Sequence, residues 1–119
     1  MQIKNFLEMP LGDLVGCHEG EGVLKHVEVF SGEEFDTNIR FFNYTILPPG
    51  TTIGNHEHGN DEEVYIVLEG EGMFYLDGIE YPVRAGSVMK NTPFGTHGLR
   101  NTGDCDLKLL VFENAKEVK

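Results

Sequence analysis

The sequence predicts an all-β fold of the sandwich or barrel type, and two observations carry that reading. Apolar or alternating runs of strand length recur along the chain, each bounded by Gly, Pro, Asn or Asp, and the periodicity of an amphipathic helix is scarce. Taken in order, the runs cover residues 23–30, 39–47, 63–69, 72–77, 79–83, 87–91, 97–101 and 106–112. Eight strands suffice to close a small barrel. The turns between them have their own chemistry. Pro48-Pro49-Gly50 stiffens one, Gly70-Glu71-Gly72 tolerates positive φ, and Asp77-Gly78 is a two-residue hairpin signal. Pro82 cannot donate to a ladder, so the run around it is expected at a sheet edge or at a strand end. Residues 1–22 form a less readable N-terminal extension in which GCHEGEG reads as loop. NAKEVK (114–119) reads as a charged tail, frayed or a short helix.

A chain of 119 residues is expected to fold as a single domain, with residues 40–112 as its core. Twenty acids against nine basic residues give a formal charge of -11, which repels nucleic acid and anionic lipid and leaves a small molecule or a metal as the expected partner. Neither a signal-peptide pattern nor an apolar run of bilayer length is present, so the expected location is the cytoplasm. Cys17 and Cys105 stand far apart and are expected as free thiols.

The chemistry concentrates in GNHEHGNDEEVYIVLEG, residues 54–70. On a strand, alternation places His56 and His58 on one face and Glu57 on the other. Glu63 lies at an odd offset from His58, so it joins them only if Gly59-Asn60-Asp61 bends the chain, as a hairpin would. Tyr65 and Val67 then point inward with Glu63, while Glu62, Val64, Ile66 and Leu68 form an outer face that needs a cover. An HxH pair by itself is a common surface feature. His97, after the Pro93-Phe94-Gly95 turn, is remote in sequence and a candidate fourth member.

These residues resemble the two motifs of the cupin family. The first, G-x5-H-x-H-x(3,4)-E-x6-G, is met by Gly50, His56, His58, Glu63 and Gly70; the second, G-x5-P-x-G-x2-H-x3-N, by Gly86, Pro93, Gly95, His97 and Asn101. Pro93 and Gly95 stand one residue later than the second pattern has them. The resemblance implies a jelly-roll barrel, or double-stranded β-helix, with His56, His58, Glu63 and His97 holding one divalent metal inside it. It also implies a homodimer paired through its sheets. Imidazole and carboxylate donors without thiolate suit manganese, iron, cobalt, nickel or zinc. Three nitrogens and one oxygen leave two positions of an octahedron for water, dioxygen or a chelating substrate.

Tyr65 and Arg40 are candidates to bind substrate, the first through its hydroxyl and the second by clamping a carboxylate, with Arg100 a further arginine near the site strands. Asn101 shares the face of His97 and could orient a ligand. Glu57, Asp61 and Glu62 are expected to hydrate the barrel mouth, with Asp61 or Glu62 able to act as a general base. His18 and His26 match no motif and read as exposed or strand-surface residues. The expected function is a metalloenzyme of dioxygenase, decarboxylase or isomerase type acting on a small oxygen-bearing substrate. The alternatives are a non-catalytic module for a small acid or sugar, and a barrel merely braced by its metal.

Overall fold

The computed structural model describes residues 2–116. Its strands are β1 Gly12–Val15, β2 Val23–Ser31, β3 Ile39–Leu47, β4 Thr52–Glu57, β5 Asp61–Glu69, β6 Glu71–Leu76, β7 Ile79–Arg84, β8 Val88–Asn91, β9 Thr96–Asn101 and β10 Leu107–Ala115. They form two sheets, one of six strands in the order β1-β2-β3-β10-β5-β8 and one of four in the order β4-β9-β6-β7. One core joins them, with Leu24, Leu47, Leu107 and Leu109 contributed by the larger sheet and Ile53, Phe74 and Leu99 by the smaller. This is the jelly-roll arrangement expected of the chain. Helix is confined to 3-10 turns among the described residues.

The period-2 logic is clearest in β5 and β10. In β5, Asp61, Glu63, Tyr65 and Val67 are buried, whereas Glu62, Val64, Ile66 and Leu68 are not. The Asp77-Gly78 signal makes the β6–β7 hairpin, with φ of 46° and 91° at its two turn residues, a combination that favours Gly at the second position. Pro82 lies within β7, which is the edge strand of the smaller sheet, where a missing N–H leaves no ladder bond broken.

Four expectations change. Residues 12–15 form β1, pairing with β2 although the run is short and mostly exposed. Residues 16–22 are not open loop throughout, since Cys17–Glu19 makes a 3-10 turn docked on β4. The turn at residues 58–60 is not a hairpin: β4 pairs with β9 in one sheet and β5 with β10 and β8 in the other, so the chain crosses between sheets there. Finally, Asn114 and Ala115 belong to β10, held opposite Glu62 and Asp61, and residues 117–119 of the tail lie outside the described residues.

Candidate metal centre

The crossing from β4 to β5 builds the centre. His56 projects from β4 and His58 stands just past its end, where its backbone N–H donates to the Gly95 carbonyl at 2.9 Å. Glu63 enters from β5 in the opposite sheet, and His97 comes from β9, directly across the ladder from His56. All four offer a donor atom within 4.8 Å of one another. His97 is fully buried and Glu63 is 7% exposed, so these are interior side chains and not a surface cluster.

The nitrogens are oriented as ligands. Nδ1 of His56 donates to the Gly54 carbonyl at 2.8 Å, and Nδ1 of His58 to Asp61 Oδ1 at 2.7 Å. A neutral imidazole carries one N–H. With that proton used on Nδ1, each ring presents a lone pair at Nε2, and the two Nε2 atoms face each other at 3.1 Å. Facing lone pairs repel unless a proton or a cation lies between them. Glu63 Oε1 stands 3.3 Å from His58 Nε2 and 3.1 Å from His97 Nε2. Ligands about 2.1 Å from one ion and at right angles to each other stand about 3 Å apart, so these spacings fit a single divalent ion. Nδ1 of His97 is buried without a partner among the described residues, and Nε2 is the nitrogen turned toward the cluster.

Without an ion the charges arrange themselves around one proton. The hydrogen bond to Glu63, joined by that to Asp61, outweighs burial and lifts His58 to about 9. Burial alone would raise Glu63, but hydrogen bonds from His58 and His97 hold it down to about 2. His56 falls to about 4, mainly by burial, with the neighbouring imidazoles His18, His97 and His58 adding to the effect. Glu113, 3.3 Å from His58 Nδ1, is pushed up to about 7 by burial and by the charges of Asp61 and Glu63. Asp61 and Glu113 thus flank the non-ligating nitrogen of His58, a carboxylate–histidine arrangement that fixes a ligand's tautomer and raises its basicity.

The sequence reading missed part of this shell. Asp61 is 6% exposed and serves His58 instead of hydrating the mouth. Glu113 had a signal: β10 turns Leu107, Leu109 and Val111 inward, and the same alternation sends an acid into the barrel at 113 once the strand is extended past 112. His18 stacks flat on His56, ring centroids 3.6 Å apart and planes 11° from parallel. His18 is exposed, as the sequence reading has it, but it also covers a face of His56, and its φ of 50° shows backbone strain beside the site.

A cavity of about 160 Å³ adjoins the centre, and Glu63, Tyr65, His18, His26, Asn43 and Thr45 are among its walls. Tyr65 lies at the junction, its hydroxyl 3.2 Å from His97 Nε2 and its ionisation pushed well up by burial. Arg40 is placed elsewhere, 3.6 Å from Asp61 Oδ2 and half exposed, behind His58 and not on the cavity. Arg100 lies on the surface 3.8 Å from Glu80. Asn101 is buried at the far end of β9, its amide donating to the Leu47 and Cys105 carbonyls at 2.8 Å.

Comparison with known proteins agrees with this architecture. Residues 43–113 match the model of the Cupin domain family. The chain is 35% identical over 92 residues to a protein of Thermotoga maritima named oxalate-binding protein, covering 77% of this chain and 76% of that one. It superposes on the crystal structure of a protein described as a predicted oxalate decarboxylase from the same organism with a TM-score of 0.93. That match is at 29% identity, over 96% of this chain and 99% of the other. The cupin domain of Cnp3 from Schizosaccharomyces pombe shares the fold at 10% identity, with a TM-score of 0.79 over 97% and 74% of the two chains. With two sheets closed around a His-His-Glu-His cluster and the family model spanning β3 to β10, this chain belongs to the cupin family.

Proposed function

We propose that the protein binds one divalent transition metal through His56, His58, Glu63 and His97 and acts there on a small oxygen-bearing acid as a metalloenzyme of decarboxylase, dioxygenase or isomerase type. The observation that carries this reading is the pair of inward-facing imidazole nitrogens beside a buried carboxylate, Glu63, which itself lines the adjoining cavity. A bound ion would supply Lewis acidity and a template for a chelating acid. The chain's own groups do the rest. Asp61 and Gly54 orient the two β4-side imidazoles, and Tyr65 offers a hydroxyl at the edge of the cavity. Leu24, Phe41 and Val111 supply apolar walls for the carbon chain of a small acid. Manganese, iron, cobalt, nickel and zinc all fit the donor set, and supply in the cell selects among them. The names of the Thermotoga relatives point to a small acid such as oxalate.

A non-catalytic acid-binding module is the second reading. Its support is that Glu63, a metal ligand, is the one carboxylate on the cavity wall among the described residues, so no separate carboxylate base faces the substrate. The experiment is elemental analysis of purified protein and of His97→Ala, with oxalate and related acids assayed for product by NMR and for binding by calorimetry. About one metal per chain, lost in the variant, with metal-dependent turnover supports the enzyme. Binding without product supports the module, and a metal-free wild type that binds no acid sinks both. We further propose a cytoplasmic homodimer, a location in keeping with the two free cysteines.

A further inference from the structure

We propose that the cavity beside the metal ligands takes a short hydroxy acid end-on, its carboxylate toward His56, His58, Glu63 and His97 and a hydroxyl further along its chain held between His26 and Asn43. This rests on the acid-binding reading above and names the class of acid. The far wall of the cavity is the inner face of the β2–β3 ladder, where His26 lies directly opposite Thr45 and one diagonal step from Asn43. Diagonal neighbours on a ladder lie roughly 7 Å apart, close enough for one small group to touch both side chains.

Two polar atoms there are unsatisfied. Nδ1 of His26 and Oδ1 of Asn43 are buried without a hydrogen-bond partner among the described residues. Buried polar atoms are rarely left unpaired, because each costs about 1–3 kcal/mol of desolvation with nothing returned. Two on one cavity wall mark a place where a ligand supplies the missing bonds. The chemistry of the pair narrows that ligand. Asn43 Oδ1 accepts only, whereas an imidazole N–H donates, and a hydroxyl is the simple group that donates to one and accepts from the other. A second carboxylate is not matched, since no Lys or Arg among the described residues lines the cavity. The volume of about 160 Å³ leaves room for a small molecule such as an acid of three or four carbons.

The test uses the full chain loaded with manganese and titrated calorimetrically with two pairs of acids differing by one hydroxyl: lactate against glycerate, and 2-hydroxybutanoate against 2,4-dihydroxybutanoate. At least one hydroxylated member should bind about tenfold tighter than its partner, the worth of one well-made hydrogen bond pair. In His26→Phe and in Asn43→Leu that ratio should collapse to about one. The melting temperature of each ligand-free variant should rise, because an unpaired buried polar atom has been replaced by an apolar one. Either variant alone carries the test if the other fails to fold. Equal affinities within both pairs, or a ratio that survives the substitutions, would overturn the inference while leaving the acid-binding reading intact. Failure of lactate, glycolate and oxalate alike to bind the manganese form would remove the acid-binding reading, and this inference with it.

Discussion

At the scale of single residues, what distinguishes the centre is the division of labour between the two nitrogens of each imidazole. His58 is held at Nδ1 by Asp61 and Glu113, so its Nε2 is aimed before any ion arrives. Asp61→Asn should weaken manganese binding by about 10–100-fold with little change in fold, measured by competition against a chelator. Unchanged affinity would show that the charge of Asp61 is not what aims the ring. A pH dependence follows from the same proton. In the ion-free protein His58 titrates at about 9 against 6.5 for the free side chain, so its stabilising charge is present below 6.5 and is lost as pH rises through 9. Glu63, held at about 2 against 4.5, contributes above 4.5 and loses that contribution as pH falls through 2. The chelated protein should therefore melt highest between pH 4.5 and 6.5 and soften toward pH 9. Metal affinity should climb over that alkaline range by about tenfold per pH unit, because binding expels the His58 proton. A flat affinity profile from pH 6.5 to 8.5 would contradict this assignment.

At the scale of elements, legibility followed how locally each signal was written. The alternation in residues 61–69 and the Asp77-Gly78 turn are properties of a few adjacent residues, and both read correctly from the sequence. The convergence of His56, His58, Glu63 and His97 was legible because spacing survives in sequence even when the partners are in different sheets. Three other features were not. That β4 and β5 lie in opposite sheets depends on pairing with β9 and β10, which no turn signature encodes. Strand β1 has four residues and little burial, so it lacks the apolar alternation that would announce it. The placing of His18 rests on a backbone contact: the 3-10 turn lies so close to β4 that a Cβ at position 54 would overlap the His18 carbonyl. Glycine at 54 is thus required by the approach of two segments. Gly54→Ala should push the turn off β4, cost about 1–3 kcal/mol, and unseat His18 from His56. Thermal melting checks the first effect, and a lowered metal affinity at unchanged pH the second. A variant with wild-type melting and wild-type metal affinity would show that the turn yields without consequence.

At the scale of the whole molecule, the centre and the outer surface make opposite demands on the larger sheet. Its inner face presents Glu63 to the cluster while β4 and β9 of the smaller sheet present His56 and His97, so a metal held there would tie the two sheets together across the core. Because the unfolded chain cannot assemble that set, an ion at a hundred times its dissociation constant should add about 2.7 kcal/mol of stability. A chelator should lower the melting temperature accordingly. The outer face is the harder problem. Val64 and Ile66 of β5 lie beside Leu110 and Phe112 of β10, with Phe42 of β3 stacked on Phe112 at 5.7 Å and Val88 of β8 63% exposed at the other side. Toward β2 the chain supplies its own cover, since Phe6 packs on Tyr44 at 4.4 Å and leaves that tyrosine 4% exposed. No such cover reaches β5 and β8 among the described residues. A contiguous apolar strip on a charged protein of formal charge -11 calls for burial, and a two-fold partner presenting the same strip is the self-complementary solution. Light scattering at micromolar concentration should therefore give twice the chain mass, and Ile66→Glu with Leu110→Glu should give the monomer, since opposed copies would then bring like, unpaired charges together. A wild-type monomer at that concentration would refute the dimer, and a dimer that survives both substitutions would place the interface on another face.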